Sequence, residues 1–375
     1  MPWGVVSLMS LRQEFVRLCE GKAVSFTQLC QRYGISRKTG YKWLRRYHEQ
    51  GAEALGDHSR RPKHSPAKLD AAQEKALVTL RHNYPRWGAR KIRRVLRNQG
   101  APRVPACSTI TQVFHRHGLI DSNSTEAKPN WQRFERDVPN SLWQIDFKGP
   151  LATVRGPAQA LTVLDDHSRF NLCLKALANQ QTQSVQQALI ETFRLYGLPN
   201  TLIMDNGSPW GHGPTPAYTQ LTVWLIRLRI AVSHSRPYHP QTLGKDERFH
   251  GTLNRELLIG RQWRDLPELQ RAFESFRHQY NFIRPHEALG LEVPASRYQV
   301  SLRCFPEILP PIEYDPALHV RKVQQKGEIY FYGKTVKVGR AFRGYQVGLK
   351  STPVDGVFDV LFCHQTVAQI DLRNL

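Results

Sequence analysis

The stretch SLWQIDFKGP, residues 141–150, alternates apolar and polar side chains and ends in Gly-Pro. That pattern predicts a β-strand closed by a turn. Its single acid, Asp146, falls inside the strand. A carboxylate in a half-buried strand is expensive unless something compensates it. The segments that follow decide what does.

AQALTVLDDHSRFNLCLKAL reads as two further strands joined by a turn at Asp165-Asp166-His167-Ser168. TQSVQQALIETFRLYG has helical periodicity, with Val185, Leu189, Phe193 and Tyr196 on one side. NTLIMDNGS is a short buried strand ending in Asp205-Asn206-Gly207, and PWGHGPTP is a Gly/Pro-rich stretch. LTVWLIRL is an apolar helix, and IAVSHSRPYHPQT a last short strand and loop. A helix starts near Lys245, and a longer one covers DLPELQRAFESFRHQYN. Strands, helix, strand and helices make a mixed α/β domain with a central sheet.

Placed on that map, three acids converge from three elements. Asp146 sits in the first strand. Asp205 lies at the C-terminal end of a later strand, where α/β proteins place ligands. On the helix from Lys245, Phe249, Leu253 and Leu257 form the apolar stripe, and Glu247 points away from it with Gly251 and Asn254. Carboxylates brought together call for cations between them. Hard oxygen donors suit Mg²⁺ or Mn²⁺. Two such ions about 3.5–4 Å apart hold the attacking and leaving oxygens of an in-line phosphoryl displacement. Asp165 and Asp166 are read as turn residues. Asp246 is read as an acid welcomed by the dipole at its helix start.

The chain carries 53 Lys and Arg against 31 Asp and Glu, a net charge of +22. Residues 1–140 hold 26 of those bases and only 11 of the acids. Such an excess points to a polyanion: nucleic acid first, an anionic membrane surface second. In SFTQLCQRYGISRKTGYKWLRRYHEQG, a short helix from about Phe26 to Tyr33 precedes a turn at Gly34-Ile35. Ser36 then caps a second helix running to about Gln50. This is a helix-turn-helix pattern. Gly40, Leu44 and Tyr47 share one face, and Lys38, Lys42 and Arg45 the opposite one. A small residue at 40 lets the helices approach closely. The basic face would enter the major groove, with Arg37, Lys38 and Tyr41 near base edges and Lys42 and Arg45 beside them.

HSRRPKHSP, residues 58–66, is a basic linker. A second helix-turn-helix-like unit follows, in which Arg90, Lys91, Arg93, Arg94 and Arg97 crowd the middle helix and Ser108 caps the last. His115 and His117, two apart on a helix, face different ways and do not make a metal site. Beside the acids, Lys245, Arg248 and Arg255 are placed to meet DNA phosphates, and His239 and Gln241 to contact DNA from the preceding loop.

LRCFPEILPPIEYDP is a Pro-rich connector, and the tail after it alternates in five or six short strands with Gly turns. It reads as a small β-barrel. The expected organisation is a helix-turn-helix domain at 1–60, a second at 66–120, and a linker at 121–140. A catalytic core at 141–300, a linker at 301–317 and a barrel at 318–375 complete it. The six cysteines form no C-x-x-C pair, which suits a reducing cytoplasm. The N-terminus does not read as a signal peptide, and no apolar run approaches bilayer-spanning length.

Together WQIDFKG, LTVLDDHSRF, LIMDNGS and HPQTLGKDERFHGTLNRELL resemble the integrase catalytic core of retroviral integrases and bacterial insertion-sequence transposases. The order and flanks match over about 150 residues. The resemblance implies an RNase H-like fold and a catalytic Asp-Asp-Glu triad, Asp146, Asp205 and Glu247, that binds Mg²⁺ or Mn²⁺, two ions per site. It implies cutting double-stranded DNA at element ends and joining the freed 3′-hydroxyls to target DNA. The tail resembles the C-terminal domain of integrases and Mu-type transposases. Joining two ends to one target implies a homodimer or larger on DNA. The 58 residues between Asp146 and Asp205 are ordinary for the family, whereas the 41 between Asp205 and Glu247 exceed the usual retroviral-type spacing. The PWGHGPTPAY insertion accounts for the difference as a loop. The zinc-binding N-terminal domain of retroviral integrases is absent, and helix-turn-helix units stand in its place. A DNA-binding repressor with an inactive core is the alternative, but it has no need of three acids in three motifs. An RNA–DNA hybrid nuclease leaves the helix-turn-helix units without a role.

Overall fold

A computed structural model describes residues 7–57, 69–120, 135–211, 218–234 and 244–374. The basic linker at 58–66, most of the 121–140 linker, most of the PWGHGPTPAY insertion, and His239 and Gln241 lie outside them. The chain divides into two compact units, Met1–Lys68 and Leu69–Leu375.

The first unit is three helices, α1 (Leu8–Glu20), α2 (Phe26–Arg32) and α3 (Arg37–Gln50), closed by a 3₁₀ turn at Ala52–Leu55. Ser7, Ser25 and Ser36 cap the helices, each hydroxyl accepting a backbone N–H three residues on. The reading of α2, the Ser36 cap and α3 matches the structure; α1 is added. It supplies Phe15 and Val16 to a core with Leu29, Cys30, Trp43 and Leu55. Gly40 explains how closely the helices pack. A Cβ there would lie 2.8 Å from Cys30 Sγ, 2.9 Å from Phe26 Cζ and 3.0 Å from Phe15 Cζ.

The second unit opens with α4 (Ala71–Asn83), α5 (Ala89–Asn98) and α6 (Cys107–Arg116), packed on Leu77, Trp87, Ile92, Ile110 and Phe114. Ser108 does not cap α6: the helix begins at Cys107, and Ala106 holds the cap position without a side-chain bond.

Next come β1 (Leu142–Thr153), β2 (Gly156–Asp165), β3 (Asn171–Leu177), α7 (Thr182–Tyr196), β4 (Thr201–Met204), α8 (Gln220–Arg227), β5 (Ala231–His234), α9 (Gly244–Leu253) and α10 (Leu266–His278). The five strands form one sheet in the order β3-β2-β1-β4-β5. β1, β2 and β3 are antiparallel, while β4 and β5 join β1 in parallel. Strand alternation sends Trp143, Ile145, Leu161 and Val163 to one face, where α7 and α8 supply Leu189, Phe193 and Leu225. Ala160 and Leu164 go to the other, under Phe249 and Leu253 of α9 and Phe273 of α10. Asp146 belongs to this second face, beneath α9.

The tail is not a barrel. β6 (His319–Lys322), β9 (Gln346–Ser351), β10 (Val357–Phe362) and β11 (Gln365–Asp371) form an open sheet in the order β11-β10-β9-β6, and β7 (Glu328–Phe331) pairs only with β8 (Lys334–Lys337). The sheet is covered rather than closed. Val323, Phe331, Phe342, Val347 and Phe362 share one apolar cluster with the central domain. Gln365 caps the outer edge of β5, accepting from Val232 N at 2.8 Å and donating to Val232 O at 3.0 Å. Nor is the Pro-rich connector free where it begins. Leu198 N donates to Arg303 O at 2.7 Å, and the Arg303 guanidinium donates to Leu228 O and Arg229 O. No helix among the described residues is long and apolar enough to cross a membrane.

Candidate functional site

The sheet register sets the first two acids. Gln144 on β1 and Ile203 on β4 are parallel partners, and Asp146 and Asp205 each lie two residues beyond them. Neighbouring strands run about 4.8 Å apart, so Asp146 is a neighbour, across the sheet, of the turn that Asp205 begins. β4 stops at Met204, and Asp205 turns the chain: its Oδ1 accepts from Gly207 N at 3.0 Å. A Cβ at 207 would sit 3.1 Å from Asp205 Oδ2, so glycine keeps the turn open. His234 Nδ1 donates to Asp205 O at 2.9 Å, tying β5 to the same turn.

Glu247 stands exposed in the first turn of α9, the helix over Asp146. Burial pushes the Asp146 carboxyl up to about 6. The negative charges of Asp205 and Glu247 add to the rise, while the Phe147 N–H and Lys148 oppose it. The three acids thus share one electrostatic environment. Among the described residues, no three His, Cys, Asp or Glu side chains stand close enough to grip one ion. Asp146 Oδ1 instead accepts from Phe147 N at 2.8 Å, as Asp205 Oδ1 does from Gly207 N. Oxygens held on backbone N–H groups relieve repulsion among like charges. The donor set of three carboxylates remains suited to hard divalent cations.

Two neighbouring acids are engaged by hydrogen bonds within the fold. Asp165 is buried and accepts from Asn140 N, Ser168 N and the Ser168 hydroxyl. Asp166, also buried, accepts from Arg136 N, Gln144 Nε2 and Lys245 Nζ. Asp246 departs from the expectation. It is not a solvated acid at a helix start but fully buried, with neither oxygen hydrogen-bonded. Burial, with the charges of Asp146 and Asp166, holds its carboxyl well above the usual range.

Lys245 is also placed differently from the sequence reading. It is half-buried and bonded to the Asp166 carboxylate, with burial and neighbouring Arg169 pushing its ammonium down to about 8. Arg94 is engaged in an ion pair with Glu292. Neither projects as an uncommitted phosphate contact. Arg90, Arg248 and Arg255 are exposed. Arg37, Lys38, Tyr41, Lys42 and Arg45 are all exposed along α3, a continuous basic face. Beneath it Trp43 carries the Arg12 guanidinium at 3.9 Å and the Lys42 ammonium at 4.2 Å from its ring centre. His117 bonds Glu74 Oε1 at 2.9 Å.

Sequence reasoning missed three groups. His250, one turn after Glu247 on α9, lies buried with Nε2 2.9 Å from Thr162 Oγ1 and Nδ1 3.8 Å from Asp146 Oδ2. Its spacing from Glu247 is visible in the motif; its partner Thr162, opposite Asp146 on β2, emerges only from the strand register. Trp87 Nε1 donates to Glu256 Oε2 at 3.0 Å, and the buried Arg284 guanidinium pairs with the same carboxylate at 2.9 Å. The Trp87 bond ties the α4–α6 helices to the core, and Arg284 holds the accepting carboxylate in place.

Several family models match parts of the chain. A family model described as an integrase core domain matches residues 136–240, and a second with the same description matches 228–294. A helix-turn-helix domain matches 11–63 and a homeodomain-like domain 39–114. The C-terminal domain of the IS481 family transposases matches 318–375. The transposase for insertion sequence element IS904 of Lactococcus lactis is 24% identical over 63% of this chain and 96% of its own length. The uncharacterized 39.2 kDa protein of insertion element IS476 from Xanthomonas euvesicatoria is 24% identical over 64% of this chain and 69% of its own. The Pro-Pol polyprotein of simian foamy virus type 3 is 29% identical over 46% of this chain, which spans only 15% of that polyprotein. Among solved structures, the HTLV-2 integrase catalytic core domain in complex with magnesium aligns at 18% identity and a TM-score of 0.34, over 44% of this chain and 99% of that one.

Proposed function

We infer the function from the family to which these modules assign the chain, the insertion-sequence transposases with an integrase-like core. We propose that it cleaves the ends of its element and joins them to target DNA through Asp146, Asp205 and Glu247. The observation that supports this reading is the strand register that sets Asp146 of β1 beside the end of β4, where Asp205 follows, with α9 and its exposed Glu247 packed over β1.

In this reading the three carboxylates hold two Mg²⁺ or Mn²⁺ ions. Such ions activate water or a 3′-hydroxyl and steady the departing oxyanion of an in-line displacement. The protein's part is placement. Asp146 within β1 and Asp205 just after β4 each follow a parallel register pair by two residues, and Glu247 is exposed in the first turn of α9. The proton that Asp146 holds below about pH 6 must leave before a cation takes its place. The exposed face of α3, with Arg37, Lys38, Tyr41, Lys42 and Arg45, binds element-end DNA. Arg90, Arg248 and Arg255 meet phosphates in the second unit. Two ends joined to one target require a homodimer or larger on DNA.

A joining assay on element-end DNA with Mg²⁺ tests the proposal. Asp146→Asn, Asp205→Asn and Glu247→Gln are each expected to lose joining while retaining end binding. Activity in all three would sink the metal-dependent mechanism.

A further inference from the structure

Trp87 lies between α4 and α5, buried in their core, yet its indole N–H reaches outside the helical unit. Nε1 donates to Glu256 Oε2 at 3.0 Å. Glu256 belongs to the π-helical turn Asn254–Leu258 that continues α9. The helix that begins with Glu247 is therefore held at Glu256, about 13 Å further along its axis. Both partners of this bond are fixed. Tyr84 stacks on the indole with ring centres 3.9 Å apart and planes 5° from parallel. Arg81 donates to Trp87 O at 2.7 Å. The buried Arg284 guanidinium binds Glu256 Oε1 through Nε at 3.0 Å and Nη2 at 2.9 Å. Indole has a single donor, so the bond between them defines one direction.

A second anchor stops rotation about the first. Arg94 of α5 pairs with Glu292, beyond α10. Ile283, next to Arg284, packs into the apolar cluster of α4–α6. The same two elements also carry exposed bases, Arg90 on α5 and Arg255 beside Glu256.

We propose that Trp87 and Glu256, with Arg94 and Glu292, are positioning residues that form a fixed joint. The joint sets the span between end DNA on the α4–α6 helices and the triad, and so selects the phosphodiester that is cut. Successive nucleotides of a strand rise about 3.4 Å, so a shift of the helical unit by that distance presents the neighbouring bond. The inference rests on the DNA-cutting reading above.

The test reads where the cut falls, which a loss of stability alone does not move. Full-length protein is incubated with Mg²⁺ and end-labelled element-end duplex, and the products are sized to the nucleotide. Wild type is expected to cut at one position. Trp87→Phe keeps a stacking ring and removes the N–H. It should bind ends as wild type does, spread its cuts over neighbouring phosphodiesters and lose at least about 10-fold of the correctly placed product. Arg94→Glu should scatter the cuts likewise. Adding Glu292→Arg restores the pair with its charges exchanged and should return the cuts to one position. Thermal melts show which variants fold; should Trp87→Phe not, the charge exchange decides. The inference is overturned by a wild type that itself cuts at several positions, or by a folded Trp87→Phe that keeps the single cut. An Arg94→Glu protein with an unmoved cut, or with scatter that Glu292→Arg fails to correct, overturns it too. Each of these leaves the cutting reading intact. A wild type that cuts no element-end DNA removes that reading, and this inference with it.

Discussion

Asp146 on β1 and Asp205, the first residue after the parallel strand β4, each lie two residues past the register pair Gln144 and Ile203. Backbone hydrogen bonds, not flexible side chains, bring these charges together. The cost is visible in Asp146, whose carboxyl is pushed up to about 6 chiefly by burial, with Asp205 and Glu247 adding to it.

A pH-dependent stability follows. The unfolded carboxyl titrates near its ordinary value of about 3.9. The folded one titrates at about 6. Below the unfolded value both states are protonated, and the stability of the neutral form is fully present. As pH rises through the folded value that stability is lost. In chelator, Asp146→Asn should therefore be more stable than wild type above about pH 6, by up to about 3 kcal/mol, with the advantage shrinking toward pH 4. Urea midpoints of the two proteins across that range check it; a difference that grows toward acid contradicts it.

The packing of the first unit depends on Gly40. A methyl group there would come within 3.0 Å of Cys30, Phe26 and Phe15 at once. Two of those atoms belong to aromatic rings in a packed core, which yield little. Gly40→Ala should destabilise the unit by about 1–3 kcal/mol, the usual penalty of overpacking. Thermal unfolding of the full chain, followed in the Trp43 environment, measures it.

Binding by α3 should be mainly electrostatic. Lys42 and Arg45 are exposed on its basic face. If both meet phosphates, Lys42→Ala with Arg45→Ala lowers the slope of log K against log salt by roughly 1.8, since each contact contributes about 0.9. Titrations of element-end DNA at several salt concentrations give the slope directly. An unchanged slope would place the DNA on another face.

The helix-turn-helix, the sheet strands and the helix bearing Glu247 were legible because each carries a local signal: caps at Ser25 and Ser36, two-residue alternation around Asp146, an apolar stripe at Phe249 and Leu253. What was not legible is long-range. The tail's strands alternate as barrel strands do, and only their pairing and the shared core with the central domain distinguish an open sheet. Arg94 reads as a DNA contact until Glu292, nearly two hundred residues away, is found beside it. Asp246 looks like a solvated helix start, because local sequence cannot reveal that the sheet covers it.

Asp246 and Glu247 are adjacent acids with opposite fates, and the difference is testable. On a helix they point about 100° apart, so only one can face the cleft. Glu247 is exposed at the open side of α9. Asp246 is buried against the sheet, and neither of its oxygens accepts a hydrogen bond. Burial and the charges of Asp146 and Asp166 hold its carboxyl well above the usual range, which disfavours the charged form a cation would need. Asp246→Asn keeps the size of this buried side chain and removes the carboxyl. It should keep joining within a few-fold and shift stability by no more than about 1 kcal/mol, since no hydrogen bond is lost. Glu247→Gln also keeps size but removes a charge from the triad; joining with Mg²⁺ should fall by several orders of magnitude while end binding persists. Both variants are compared in one assay on the same DNA. A dead Asp246→Asn beside an active Glu247→Gln would transfer the catalytic role to the buried acid, and α9 would have to rotate by about 100° to deliver it.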